Sequence, residues 1–523
     1  MKSLTRVVAF GFIYLVFTSS NCSHWANEHE VVKLNVVQKN SSVFKNFLGI
    51  NGFEWDLLGN INSSTDPNQV KVMQSFGAFR HYMDWERIEA HKGEYYFNPT
   101  HSGSFNYDAI YQACKENGIE VLDCMKGCPS WLLDTYPKDQ RDVENVAAPF
   151  GSDHLNPASY IDQARAAFQY AARYGNNKNV DNALVYYEHS PYKDVVVKPI
   201  VGLGYVHYME CNNEVDRTWK GAKAHQSPQE YAANLSAFYD GDMGKLGKGV
   251  GVKSADPTMK VVMAGLAAPD TDYVVKMIEW CKQHRGYKPD GTVNLCFDVI
   301  NYHYYNDDSK PGHDRTTGKA PELSLGGKYA DDFVAMAKKY ANNMDVWITE
   351  AGYDINPGSP QRAIKIGDKS PLITQADWIL RSSLMYTRHG LKSAYYYMLD
   401  DAGSDQPGQY ATCGFVDNGK KRPVADYFLQ TKKLLGNYKY EQTISSDPMV
   451  DVYKNAAQKI YVIWVPDEVG RKAVYSLNLK GVALVKIHRL VVGADEMKTE
   501  TAAVKNGKLP LEVDETPIFV EVN

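Results

Sequence analysis

The chain lacks several features that would point to whole classes of function. No apolar run is long enough to cross a bilayer as a helix; Val7–Phe17 (VVAFGFIYLVF) falls well short of the roughly 20 residues required. There is no basic patch. Lys and Arg total 57 against 62 Asp and Glu, a formal charge of −5, and the charges are scattered, which excludes nucleic-acid binding by phosphate neutralisation and favours a neutral substrate. There is no cysteine framework. After Cys22 come Cys114, Cys124, Cys128, Cys211, Cys281, Cys296 and Cys413, irregularly spaced within apolar segments. Cys124-x-x-x-Cys128 has no partnering Cys or His pair, so buried free thiols are expected; one disulfide stays open, and the spacing does not identify its partners. No His/Asp/Glu cluster has metal-ligand spacing, so neither metal nor cofactor is expected. Repeats, linkers and low-complexity tracts are missing too.

What is present is a large apolar and aromatic supply. Of the 523 residues 44% are hydrophobic, and the 36 tyrosines and 9 tryptophans make more than one packed domain affordable. Lys2 and Arg6 followed by Val7–Phe17 read as a bacterial signal peptide. Thr18-Ser19-Ser20-Asn21-Cys22 resembles a lipoprotein cleavage box with Cys22 as the lipid-bearing residue, although Asn21 departs from the usual small residue; simple secretion is the alternative. Either way an exported protein is expected, in the periplasm or as an outer-membrane or cell-surface lipoprotein, touching a membrane only through Cys22.

From residue 46 to 437, strand-like runs alternate with helical patterns. Strands are expected at Phe47–Trp55, Ala78–Met83, Glu120–Cys124, Gly202–Glu210, Met259–Ala264, Phe297–Tyr302, Val346–Thr349 and Ser393–Leu399. Helices are expected at Tyr107–Gly118, Ser159–Tyr174, Asp272–Gln283, Tyr329–Tyr340 and Gln375–His389. Eight such units make an α/β fold, a (β/α)8 TIM barrel. From 438 to 523 the pattern changes to period-two alternation in Met449–Tyr453, Lys459–Trp464, Ala473–Asn478, Val485–Val491 and Ile518–Val522, the texture of a small β-sandwich. Residues 1–21 are then the leader and 22–45 an N-terminal segment.

Active sites of such barrels lie at the carboxyl ends of the strands, and that rule selects two acids. Glu214 follows the fourth strand and Glu350 ends the seventh. Retaining glycoside hydrolysis needs two carboxyls about 5 Å apart, one acid/base and one nucleophile. Glu210, late in the fourth strand, reads as a residue that orients a neighbour. Trp55, Trp85, Trp131 and Trp219 near strand ends are candidate sugar platforms or packing residues.

Glu210-Cys211-Asn212-Asn213-Glu214 resembles the strand-four signature of the glycoside hydrolases of clan A, and Ile348-Thr349-Glu350-Ala351-Gly352 resembles their strand-seven pattern. The likeness implies Glu214 as acid/base, Glu350 as nucleophile and Asn213 as the residue binding the sugar 2-hydroxyl. Val215 stands where proline is common. Phe79-Arg80 through Asp84-Trp85 is similar to the second βα unit of family 39 and its neighbours, which would set Arg80 beside the nucleophile; Asn301-Tyr302-His303-Tyr304-Tyr305 matches a His-x-Tyr pattern whose His303 and Tyr305 would line the catalytic subsite. A trailing β-sandwich is usual in families 30 and 39. Strand eight carries Tyr395-Tyr396-Tyr397 where many members have tryptophan. The resemblance implies a retaining hydrolase of β-linked glycosides or polysaccharides, with substrate contacts from Asn213, Arg80, His303, Tyr305, Trp85 and Trp131. In that mechanism Glu214 starts protonated, which burial and the charge of Glu350 should favour. The competing class is a surface lipoprotein that binds glycans on a degenerate barrel without cutting them.

Overall fold

The computed structural model describes residues 42–59, 62–187, 199–310, 312–402 and 408–522. The leader and Cys22 lie outside them. Among the described residues no helix is long and apolar enough to cross a membrane.

Eight parallel strands close into a barrel in sequence order: β1 (Leu48–Gly52), β2 (Ala78–Asp84), β3 (Glu120–Lys126), β4 (Tyr208–Cys211), β5 (Lys260–Met263), β6 (Val299–His303), β7 (Asp345–Ala351) and β8 (Ser393–Tyr396). β8 pairs with β1, setting Leu48 opposite Ala394. Alternate residues point inward, so the interior fills in layers. At the amino end Ala78, Leu122, Val262, Val299, Trp347 and Tyr395 form an apolar plug. Gly49 has to be glycine there, since a Cβ would sit 2.4 Å from the Tyr395 ring. One layer higher the inward residues turn polar: Asn51, Arg80, Glu210, Asn301 and Thr349, all fully buried. The polar layer floors a pocket open at the carboxyl end.

Helices cover the outside. The expected ones form, at Tyr107–Glu116, Ile161–Tyr174, Thr271–His284, Gly326–Tyr340 and Pro371–Arg388. Pro228–Asp240 is a helix that periodicity misses. Tyr231 through Phe238 are all buried, so no polar stripe marks its turns, though Ser227 and Glu230 form a capping box and Gly241 closes it in the left-handed conformation. The expected fourth strand is shorter than Gly202–Glu210. Gly202 and Gly204 take positive φ, and the amides of Gly202, Leu203 and Tyr205 bond the last carbonyls of the Ile161–Tyr174 helix, so pairing begins only at Tyr208.

The helix Pro423–Leu435 leads into the β-sandwich. Its larger sheet has six strands, ordered Lys439–Ser446, Met449–Lys454, Lys459–Trp464, Ile518–Val522, Leu484–Arg489, Lys498–Ala503; a two-stranded ribbon, Ala473–Asn478 with Lys508–Val513, packs on it. Lys498–Ala503 is mostly exposed, which hides it from apolar alternation. Barrel and sandwich belong to one compact unit. Arg388 of the barrel donates to Asp451 of the sandwich at 2.8 Å, both buried, and Arg381 pairs with Glu322, which also accepts from Trp464 Nε1 at 2.7 Å. Lys319 pairs with Glu468 across the same contact. The seven cysteines from Cys114 onward are buried and free, and Cys281 and Cys296 bring their Sγ atoms to 3.6 Å.

Candidate active site

Glu350 lies in β7 where the ladder slips. Tyr302 pairs with Ile348 but His303 with Glu350, so one residue of β7 is bulged out of register. Bulges re-aim side chains, and here the consecutive residues Thr349 and Glu350 both reach the interior. Glu214 sits three residues past β4 with φ +46°, and Asn212 has φ +66°. Left-handed backbone at non-glycine residues costs about 1–3 kcal/mol each and persists only where the surroundings enforce it. They do. Glu214 N donates to Gly265 O, Arg217 Nε donates to Glu214 O at 2.8 Å, and the Asn212 side chain is held by Gln163 and Asn234. Val215, in the usual proline position, is buried beneath this turn.

One carboxylate oxygen of Glu214, one of Glu350 and one ring nitrogen of His303 lie within 4.8 Å of one another. Glu350 accepts from Arg80 Nη1 at 3.0 Å and from the Tyr305 hydroxyl at 3.2 Å. Burial, then the Glu350 charge, keeps Tyr305 protonated well above its ordinary value, so it remains a donor. Arg80 is fully buried. Its guanidinium also donates to Glu210 at 2.7 and 3.1 Å, to Asn51 Oδ1 and to Asn213 Oδ1, both at 2.8 Å. Burial works against that charge, but Cys124, Glu210 and Glu350 more than offset it. With its oxygen engaged by Arg80, Asn213 turns its amide nitrogen away from the guanidinium. Glu210 also accepts from Gly265 N and Asn301 Nδ2, both at 3.0 Å, so its oxygens serve the framework.

His303 joins the two carboxylates. Its Nδ1 is 3.0 Å from Glu214 Oε1 and 3.7 Å from Glu350 Oε2, while Nε2 is 3.0 Å from Thr349 Oγ1. Gly265 makes room for it, since a Cβ there would fall 1.9 Å from Nε2. This arrangement corrects the expectation for Glu214. Burial pushes its carboxyl up, but the hydrogen bond and charge of His303 outweigh burial and hold it below the ordinary value; for His303 burial is likewise outweighed, by Glu350 and Glu214, and its pKa rises. Both directions favour the proton on His303 over Glu214. By spacing, the trio could hold a divalent cation, yet the Arg80 guanidinium already faces Glu350 and opposes a second positive charge there.

The linkage has a definite sign. A raised His303 adds stability below the ordinary histidine value, about 6.5, which is lost as pH rises through the folded value; a lowered Glu214 adds stability above about 4.3, lost as pH falls through its folded value. Replacing His303 by Gln leaves the proton to Glu214 alone. The alkaline limb of kcat/KM against pH is therefore expected to move to lower pH, and an unmoved limb would remove His303 from the titration.

Trp85 does not belong to the pocket. It is wholly buried, donates to Glu89 at 2.6 Å and meets Trp131 edge to face, so it offers no surface to a sugar. Trp131 is partly exposed, but its N–H bonds Glu89 O and the Lys92 ammonium covers its ring, 5.1 Å from the centroid. No contact among the described residues ties it to the carboxylates. Sequence reasoning passed over Asn51 and Asn301, which bond Arg80 and Glu210, and over Tyr82 and Tyr410, whose ring centres lie 4.9 Å from the Arg80 guanidinium and 5.0 Å from the Tyr305 ring. Asn51, polar between Ile50 and Gly52 in an apolar strand, carried the one legible signal. A cavity of about 390 Å³ at the opposite barrel end, lined by strand-start residues such as Glu120, Asp345 and Ser393, lies away from this chemistry.

An eight-stranded parallel barrel with a trailing β-sandwich is a fold that this chain shares with solved glycoside hydrolases. Among solved structures the chain is similar to a family 39 glycoside hydrolase from the gut symbiont Bacteroides cellulosilyticus WH2, at 15% identity and TM-score 0.61, over 92% of this chain and 82% of that one. It is also similar to a family 30 endoxylanase from Clostridium papyrosolvens C71 (13%, TM-score 0.52, 93% and 98%) and to a conserved exported protein from Bacteroides fragilis (12%, TM-score 0.55, 93% and 99%). No protein-family model matches the chain, and no curated protein matches it in sequence.

Proposed function

We propose that the protein is a retaining glycoside hydrolase acting on β-linked glycosides or polysaccharides. The observation that carries this reading is that one carboxylate oxygen of Glu214 and one of Glu350 lie within 4.8 Å of each other at the ends of β4 and β7, an approach that favours a double-displacement pair. The hydrolase descriptions of two structural neighbours support it.

Glu350 attacks the anomeric carbon as the bond to the leaving oxygen breaks, giving a glycosyl ester; Arg80 and Tyr305 hold its two oxygens in line. The proton passes from His303 Nδ1, 3.0 Å away, to Glu214 and from Glu214 to the leaving oxygen, which leaves Glu214 ionised. Glu214 then removes a proton from water, which attacks the ester and restores Glu350. Asn213 bonds the sugar 2-hydroxyl. The leader, with Cys22 as lipid site, supports action outside the cytoplasm, at the periplasm or cell surface.

The test is stereochemical. Purified protein is screened against aryl β-glycosides and β-linked polysaccharides, and the first-formed anomer is followed by proton NMR. The β-anomer is expected first, with turnover unaffected by EDTA. First release of the α-anomer overturns retention, and binding without turnover on any substrate returns the protein to the glycan-binding class.

A further inference from the structure

A strip of aromatic rings leaves the site on the Glu350 side and ends in solvent. The Arg80 guanidinium lies 4.9 Å from the Tyr82 ring centre; Tyr82 meets Phe53 edge to face at 5.6 Å; and Phe53 stacks on Trp55 at 4.6 Å with the planes 7° apart. Trp55 is 52% exposed, unusual for an indole held this firmly. It sits on the single turn Glu54–Leu57. Asp56 Oδ2 accepts from Phe53 N at 2.9 Å, and Glu54 beneath accepts from the Tyr107 hydroxyl at 3.1 Å. One indole face rests on Phe53 and the ring remains half in water.

Isolated exposed apolar residues are ordinary and need no function. Three features set Trp55 apart. The rings behind it run without a gap to the residue that bonds Glu350. The plate is immobilised before any ligand arrives, so little entropy is lost on stacking. Beside Tyr82 lies the Lys126–Asp84 pair, N to O 2.6 Å and partly exposed, with the Lys126 ammonium 4.3 Å from the ring centre. A flat apolar plate at the end of a strip whose inner ring is flanked by charged donors and acceptors suits a chain of sugar rings, with C–H faces to stack and hydroxyls at the edge. Tyr82 itself, with cations at its ring, is a spacer.

Direction follows from the chemistry proposed above, on which this inference rests. Glu350 takes the glycone at its anomeric carbon, and the leaving group faces Glu214. Arg80 contacts Glu350 and not Glu214, so a strip beginning at Arg80 continues on the glycone side. The geometry points to a glycone-side extension subsite with Trp55 as its stacking plate, built for a chain of several β-linked sugars rather than a single terminal residue.

Binding is measured by calorimetry on Glu350→Gln, which does not consume ligand, and on the same protein carrying Trp55→Ala or Trp55→Phe. The probes are β-linked gluco-, xylo-, manno- and galacto-oligosaccharides of one to four units. Affinity is expected to rise with length in the Trp55 protein; Trp55→Ala should cost the longer probes about tenfold, as for loss of one aromatic stack, and Trp55→Phe should recover most of it. In active protein, Trp55→Ala should lower the ratio of kcat/KM for aryl oligosaccharides to that for aryl monosaccharides by a similar factor. No binding in any series, no dependence on length, or equal affinity with Trp55→Ala overturns the subsite. If nothing is hydrolysed but length- and Trp55-dependent binding persists, the hydrolase reading and the glycone-side direction fail while Trp55 stands as a sugar plate; if retention holds and the ratio is unchanged, the subsite alone fails.

Discussion

Glu350→Ala is expected to lose turnover by about 10⁴-fold or more on every substrate, because no other carboxylate can form the glycosyl ester. Glu214→Ala should behave differently. Loss of a general acid costs about 10²–10⁴-fold where the leaving group needs protonation, and far less for aryl glycosides whose phenolate departs unaided. Azide separates the roles. Added to Glu214→Ala it should restore turnover and yield a β-glycosyl azide, since a small anion attacks the ester without a base. If azide instead rescues Glu350→Ala to a β-azide and Glu214→Ala to an α-azide, the assignments are exchanged. If neither substitution slows hydrolysis, the site lies elsewhere.

The second large effect concerns stability as well as rate. Among the described residues Arg80 is the cation shared by Glu210 and Glu350, and its guanidinium also reaches Asn51, Cys124 and Asn213. Arg80→Met removes the charge while keeping most of the volume, leaving the buried Glu210 side chain without its ion-pair partner. Breaking such a pair costs about 3–5 kcal/mol, to be read as a lower urea midpoint. Arg80→Met/Glu210→Gln should recover part of the stability but not the rate, because Glu350 still lacks its donor. An unchanged midpoint in the single variant would show that the polar layer contributes nothing to folding.

The barrel was legible because β-strand periodicity and strand-end punctuation are local properties. Five outer helices and seven of the eight strands fall close to where pattern sets them; Tyr208–Cys211 shrank because Gly202 and Gly204 satisfy a helix end instead, a contact that no window of sequence contains. Pro228–Asp240 and Lys498–Ala503 escaped for opposite reasons, one buried nearly all round and the other hardly buried at all. At the site, Arg80, Asn213, Glu214, His303, Tyr305 and Glu350 do converge. Their order along the chain gave no hint of where the proton sits, since that depends on a 3.0 Å contact between β6 and the β4 loop and on the space Gly265 leaves for it. Trp85 failed as a platform because a tryptophan's spacing looks the same whether its ring faces sugar or core.

The ion pairs between barrel and sandwich bear on how this chain can be recombined. Arg388 and Asp451 are buried against each other, and Glu322, Arg381 and Trp464 close a second contact on the same side. Cutting at the start of the sandwich would strand Arg388 without its carboxylate and open the back of the Pro371–Arg388 helix to water, so the module cannot be exchanged or shed as tethered binding modules are. Grafting another sandwich onto this barrel would require carrying Asp451 and Trp464 with it.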